Sequence, residues 1–386
     1  MNEGSINAWH YGTRQPMRVA WREGRITQFE SCSAAPENLW VAPPLTDLQI
    51  NGYAGVYFAN PSVTLEDMRT VVRSLYAAGC ARLFVTLTTD PWPKIMARLK
   101  AFREMRTQCP ELRSAIAGWH IEGPFLSAEP GFCGAHDPSV MCDPKPEHVR
   151  ELREATAGDP VLLTLAPERA GALEVVALAS GWGIKVSLGH TNASAETIRR
   201  AVQAGAVAFT HLANGCPQQL DRHDNIVWRA LDTPGLCVGL IPDRIHVSPM
   251  AFRIMHRVLD PGHIWYTTDA VSPAGMPPGR YKIGRLEVDV GPDQVVRHPG
   301  QTNFAGSALR PIHGILRAAA MLGCPWQSAW RHFSAVPRQL MDLDGDLGAG
   351  KEATFCVLET DGANGAIRSG KLYVNGAPHE MTGLVQ

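Results

Sequence analysis

The sequence predicts an α/β protein: a (β/α)8 TIM-like barrel with a small β-sandwich domain formed from both chain termini. Three observations carry this. Short apolar segments alternate with amphipathic stretches through the middle of the chain, eight such segments can be counted, and both ends read as β structure without helical periodicity. At 386 residues there is room for a barrel of about 250 residues and an accessory domain.

The N-terminal segment contains a hairpin signal, "MRVAWREGRITQFE", in which Glu23-Gly24 turns the chain between two alternating runs. The last forty residues are similar, with "ATFCVLE", a "DGANGA" turn and "KLYVNGAPHE". Two β segments at opposite ends most simply form one domain, so residues 1–42 and 345–386 are expected to pair around a barrel at 43–344. The first barrel strand is "TDLQINGYAG", where alternation puts Asp47, Gln49 and Asn51 on one face. An amphipathic helix follows, "TLEDMRTVVRSLYAAGC", with Thr64 as its cap and Gly79 as its stop. The remaining strands are expected at "ARLFVTLTT", "SAIAGWHIEG", "PVLLTLAPE", "GIKVSLGH", "AVAFTHL", "LCVGLIPD" and "HIWYTTDA", with helices such as "SAETIRRAVQAG" and "SPMAFRIMHRVL" between them. A doubly wound open sheet is the structural alternative, but no glycine-rich fingerprint follows the first strand. "GDLGAGKE" (Gly345 to Glu352) approaches a phosphate-binding loop, yet Glu352 replaces the needed Ser or Thr and a β segment follows, so it reads as a turn.

Composition narrows the function. Charged residues are 19% of the chain and the net charge is −1, so no global field draws nucleic acid or an anionic membrane, and affinity for a phosphorylated ligand has to be local. No apolar run approaches the roughly 18 residues that span a bilayer, and the N-terminus has no basic segment followed by an apolar one, which points to a cytoplasmic protein. The nine cysteines include no CxxC pair, so neither a disulfide framework nor a cysteine zinc site is expected.

Four predicted strands end in groups that bind metals or move protons: Glu122, His190, His211 and Asp269. Singly, each reads as a turn or structural residue. Together at the carboxyl ends of barrel strands, where active sites sit, two imidazoles and a carboxylate suit a divalent ion with a position open for water.

The motifs "DLQINGYAGVYF", "HIEGPFLS", "GAH", "SLGHTNA", "THLANGCP", "DRIHV", "TTDAVSPAG" and "FAGSAL" resemble, in order and spacing, the N-acetylglucosamine-6-phosphate deacetylases of the amidohydrolase superfamily, over nearly the whole chain. The resemblance implies a metal held by Glu122, His190 and His211, with Asp269 as catalytic acid/base and His136, beside Ala135, polarising the substrate carbonyl. It further implies substrate contacts from Asn214, Gly215, Arg222, His246 and the loop Phe304, Ala305, Gly306 to Ser307, and a homodimer in which Arg222 reaches across the interface. Some family members carry His-x-His on the first strand and hold two metals, whereas others carry Gln-x-Asn and hold one. Gln49 and Asn51 therefore imply one ion per chain, zinc by preference, because amides are poor ligands for a transition metal.

Departures cluster at substrate binding. Gly215 and Cys216 replace the usual pair, His223 and Asp224 adjoin Arg222, and Arg244 stands where a glycine is usual. Arg244 is open to three readings: a phosphate contact, a pocket filler, or a partner of Asp243 or Asp224. A relative acting on another N-acyl amino sugar or small amide is the alternative enzyme. A non-catalytic binding protein would be favoured by loss of a ligand or of Asp269, and neither is lost.

Overall fold

The computed structural model describes residues 3–283, 286–300, 304–362 and 365–384; the side chains of Leu286, Phe304 and Ala305 also fall outside that description. Eight parallel strands form one sheet in chain order: β1 Leu45–Ile50, β2 Cys80–Thr88, β3 Ile116–Glu122, β4 Val161–Leu165, β5 Lys185–Leu188, β6 Ala206–Phe209, β7 Cys237–Leu240 and β8 Ile264–Tyr266. All eight expected strands are present. The ring closes just beyond β8, where Ile50 bridges Ala270 and the Asn51 amide donates to the Ala270 carbonyl at 2.8 Å. This is the (β/α)8 barrel of the sequence reading.

Local chemistry explains the elements. Helix Leu65–Tyr76 starts at Thr64 because Thr64 and Asp67 form a reciprocal capping box, and it buries Met68, Val71, Val72, Leu75 and Tyr76, the spacing of one helical face. Ser194 and Ser248 cap Ala195–Ala204 and Pro249–Val258 through their side-chain oxygens. In the hairpin at Glu23-Gly24 both turn residues have positive φ (50° and 77°), as a two-residue turn matched to strand twist requires.

The terminal segments meet in one seven-stranded sheet, in which Leu39–Ala42 pairs antiparallel with Phe355–Thr360. Trp40, Cys356, Leu358 and Leu372 on it join the main barrel core, while Val19, Trp21, Ile26 and Phe355 form a separate small cluster. "GDLGAGKE" is an irregular segment leading into Phe355–Thr360, consistent with a turn. Of the turn expected at "DGANGA", Ala363 and Asn364 lie outside the described residues. The cysteines are unpaired; Cys80, Cys109, Cys237 and Cys356 are buried and the other five only partly so. Among the described residues no helix is long and apolar enough to cross a membrane.

One unit was not foreseen. After Asp269 the chain forms a four-stranded antiparallel sheet, Gly279–Ile283, Leu286–Val290, Val295–Arg297 and Phe304–Ser307. The segment Phe304 to Ser307, expected as a loop, is its last strand, and it returns beside the barrel through a bridge from Ser307 to Ala270.

Candidate active site

Side chains at the carboxyl ends of β3, β5 and β6 converge. Glu122 Oε1 lies 2.9 Å from His211 Nε2 and 3.5 Å from His190 Nε2, and the two Nε2 atoms are 3.2 Å apart. All three residues are buried. His190 Nδ1 sits 3.0 Å from the Phe132 carbonyl, which can accept only from a protonated Nδ1. That bond fixes the ring and turns Nε2 toward Glu122. Gly134 and Gly215 pack on the ring: a Cβ at Gly134 would fall 2.8 Å from His190 Cε1 and one at Gly215 2.6 Å from Nδ1. Both glycines have positive φ, 57° and 60°, so shape and backbone each favour glycine there. His190, His211 and Asp269 themselves adopt positive φ (49°, 31° and 50°), a costly backbone for such residues that recurs at functional sites.

His136 belongs to the same cluster. Its Nε2 is 3.9 Å from Glu122 Oε2, and Glu122, His136 and His190 are close enough to share a metal ion. Two donor sets therefore overlap, one completed by His136 and one by His211. The His211 set is the tighter, with its Nε2 at 2.9 Å against 3.9 Å for His136. Burial, and then the neighbouring His190, lower the His136 pKa to about 3, so its ring is neutral. Its Nδ1 is bound to Thr89 Oγ1 at 2.8 Å, and the Thr89 hydroxyl donates to the Glu122 carbonyl.

The electrostatics fit a cation. Burial pushes Glu122 up, but hydrogen bonds from His190 and His211 outweigh it and hold the carboxyl well below its usual range. Burial pulls His211 down, and its bond to Glu122 more than offsets this and raises it. An ionised buried carboxylate whose imidazole neighbour is driven to take a proton marks a point that wants positive charge, which a divalent ion supplies. His211 Nδ1 is buried without a partner.

Beneath the site runs a chain of buried polar side chains from four strands and the residue directly after β6: Thr86 to His120 at 3.3 Å, His120 to Thr164 at 2.8 Å, Thr164 to Thr210 at 2.9 Å and Thr210 to Ser187 at 2.6 Å. Burial holds His120 down at about 4, so this layer carries no charge.

Across the mouth, the first-strand amides bind carboxylates. Gln49 Nε2 donates to Glu122 Oε1 at 2.8 Å, and Asn51 Nδ2 donates to Asp269 Oδ1 at 2.7 Å. Asp269 is pushed up to about 6 by burial and by the Glu122 charge. Asp47, on the same face but deeper, accepts from the hydroxyls of Thr267 (2.5 Å) and Thr268 (2.6 Å) and from the Thr268 amide (3.1 Å), tying β1 to the segment that carries Asp269.

The expected substrate residues are placed less uniformly. His246 Nδ1 contacts Asp243 Oδ2 at 2.5 Å, and Asp243 also accepts from the Ile245 and His246 amides; burial lowers His246, but the Asp243 bond outweighs that and raises it. Asn214 turns its amide back to the His211 carbonyl at 3.2 Å. Ala135, Arg222 and His223 are exposed on loops. Asp224 pairs with Arg229, so the two carboxylates considered for Arg244 serve Arg229 and His246 instead. Arg244 is exposed at φ 73°, the conformation a glycine adopts without cost. Gly306 has φ 114°, and a Cβ there would lie 2.8 Å from Val271 Cγ1; the side chains of Phe304 and Ala305, expected to line the sugar pocket, lie outside the described residues. Sequence reasoning missed Thr89, the hold of Asp243 on His246 and the clamping role of Asp47.

A closed parallel barrel with imidazoles and a carboxylate gathered at its strand ends, facing an aspartate after the last strand, defines a barrel hydrolase of the amidohydrolase kind. No family model matches the chain, whereas individual relatives do. An N-acetylglucosamine-6-phosphate deacetylase from Danio rerio is 33% identical over 337 residues, covering 84% of this chain and 81% of its own. An N-acetylgalactosamine-6-phosphate deacetylase from Shewanella sp. (strain ANA-3) is 30% identical over 319 residues, covering 82% and 78%. A solved mutant of the N-acetyl-D-glucosamine-6-phosphate deacetylase from Mycobacterium smegmatis, in complex with N-acetyl-D-glucosamine-6-phosphate, superposes with a TM-score of 0.84 at 26% identity over 100% of both chains. The chain belongs to the N-acetylglucosamine-6-phosphate deacetylase family.

Proposed function

We propose that the protein hydrolyses the amide of N-acetylglucosamine-6-phosphate, releasing acetate and glucosamine-6-phosphate. Family membership supports the reaction class, and the observation that carries the reading is the convergence of Glu122, His190 and His211 opposite Asp269. The three donors would hold one divalent ion, zinc by preference for this nitrogen and oxygen set. When bound, the ion supplies Lewis acidity toward water and the amide carbonyl.

The chain's own residues do the rest. Asp269 takes one proton from water as the new C–O bond forms at the carbonyl carbon. It returns that proton to the amide nitrogen as the C–N bond breaks, and the second water proton passes from the new acid to the amine or to solvent, leaving acetate and an ammonium or amine with atoms and charge balanced. His136, anchored by Thr89 beside Glu122 and His190, is the residue that the family resemblance assigns to the substrate carbonyl. His246, held by Asp243, and Arg222, supplied by a second subunit of a homodimer, bind the phosphate; a guanidinium suits it through paired hydrogen bonds. In this reading 43–344 is the catalytic domain, 1–42 with 345–386 is the small domain, and the enzyme works in the cytoplasm.

A second substrate reading has a specific basis. The 30% identical Shewanella relative is named for N-acetylgalactosamine-6-phosphate, and the altered positions Gly215, Cys216, His223 and Arg244 fall in or beside the motifs that the resemblance assigns to substrate binding. The test is acetate and amine release by the zinc-loaded protein from N-acetylglucosamine-6-phosphate, N-acetylgalactosamine-6-phosphate and unphosphorylated N-acetylglucosamine, with elemental analysis of the same sample. Preference for the first substrate with one metal per chain is expected. Preference for the second would move the assignment, and no release from any would overturn it.

A further inference from the structure

Gln49 and Asn51 occupy first-strand positions where imidazoles could ligate a metal, and their geometry gives them a different task. Each amide spends its N–H on a carboxylate: Gln49 on Glu122 Oε1 at 2.8 Å and Asn51 on Asp269 Oδ1 at 2.7 Å. Because an ionised carboxylate only accepts, these contacts fix which end of each amide faces inward. The amide oxygens, Gln49 Oε1 and Asn51 Oδ1, are buried without a hydrogen-bond partner. The orientation of each amide is therefore set by the carboxylate it serves.

We propose that Asn51 is a positioning residue for the proton transfer, occupying one oxygen of Asp269 so that only the other oxygen exchanges a proton with water and the leaving nitrogen. This rests on the reading of Asp269 as the proton carrier given above. Three features support it. Asn51 is itself fixed, since its backbone amide donates to the Ala270 carbonyl at 2.8 Å and the Gly52 amide to the same carbonyl at 3.2 Å. The donor and the residue that carries the carboxylate are therefore joined by main chain as well as side chain, so the Asn51 amide stays within reach of Asp269. Asp269 also has a strained backbone, φ 50°, which needs surrounding contacts to persist. Finally, a carboxamide neither gives up nor takes a proton near neutral pH, whereas an imidazole at position 51 would compete for the proton Asp269 has to deliver. Gln49 has the parallel task of aiming Glu122, whose Oε1 it shares with His211.

The experiment compares wild type, Asn51→Leu, Asn51→Ala, Asp269→Asn and the double variant Asn51→Leu/Asp269→Asn. It uses the metal-loaded protein and N-acetylglucosamine-6-phosphate, with metal content measured on every sample. Loss of one orienting contact is expected to lower kcat by roughly 10- to 100-fold with KM within about twofold and metal content unchanged. In the Asp269→Asn background the Asn51 change should cost no further activity, since the group it orients is gone. Asn51→Ala is read beside Asn51→Leu so that poor folding of the bulkier variant does not decide the matter. A kcat within about twofold of wild type for Asn51→Ala, with Asp269→Asn inactive, overturns the positioning role and leaves the proposed reaction standing. Loss of metal, or a rise in KM as large as the fall in kcat, overturns it in favour of a role in ion or substrate binding. Full activity of Asp269→Asn would overturn the underlying reading instead.

Discussion

Replacing Asp47 by alanine tests whether the seam between β1 and the end of β8 is held by a side chain. Asp47 is fully buried and accepts from Thr267 and Thr268 hydroxyls, from the Thr268 amide at 3.1 Å and from the Gln49 amide at 3.2 Å. The Thr267 hydroxyl has a second acceptor in the Gln49 carbonyl at 3.2 Å. The two amides would be left buried and unsatisfied, at about 1–3 kcal/mol each. Asp47→Ala is therefore expected to lose about 4 kcal/mol of stability, read by urea unfolding followed through tryptophan fluorescence. The cost should also depend on pH. Burial raises the Asp47 pKa from 3.8 to about 6 against the pull of its hydrogen bonds. For an acid raised in the fold, the native state holds more protons than the unfolded chain between these values, so its contribution is largest below about 4 and is lost as pH rises through 6. Asp47→Ala should thus cost more at pH 4.5 than at pH 8, by about 2 kcal/mol. A loss under about 1 kcal/mol at both values, or a larger loss at pH 8, would refute the reasoning.

Other perturbations probe separate parts. Gly215→Ala places a methyl 2.6 Å from His190 Nδ1, so metal content and turnover should both drop, by about tenfold or more in kcat/KM. Thr64→Ala removes the side-chain arm of the capping box and should cost about 1 kcal/mol of stability while leaving kcat unchanged, measured by thermal melting beside a standard assay. Arg222→Ala alters an exposed side chain and should raise KM for the phosphorylated substrate by about tenfold or more, with little effect on an unphosphorylated one; equal KM values for variant and wild type would remove it from phosphate binding.

Much of the barrel was legible because its signals are local. Thr64, Ser194 and Ser248 announce helix starts within four residues, and the apolar strands are short and bounded. The converging residues Glu122, His190 and His211 were legible for the same reason: each lies at the end of its own strand or two residues beyond it. What escaped was non-local. Asp47 shares a face with Gln49 and Asn51 in the sequence, but its partners Thr267 and Thr268 lie some 220 residues away, and no period joins them. Thr89 is likewise 47 residues from the His136 it holds. The antiparallel sheet at Gly279–Ser307 is a different failure, since the alternation in "RLEVDV" was present as a strand signal. Only its last four residues, Phe304 to Ser307, carry a motif, and that motif reads as a loop.

That sheet leaves the barrel after Ala270 and comes back at Ser307, and these two residues bridge each other, with the Val271 amide donating to the Ser307 carbonyl at 2.9 Å. A segment whose ends already touch behaves as a cassette. Lengthening such a loop costs closure entropy only as the logarithm of its length, so it can grow, shrink or be exchanged while β1 to β8 keep their register. Evolution could therefore retailor what enters the mouth without renegotiating the machinery below it, and laboratory grafting between relatives has natural cut points at Val271 and Gly306.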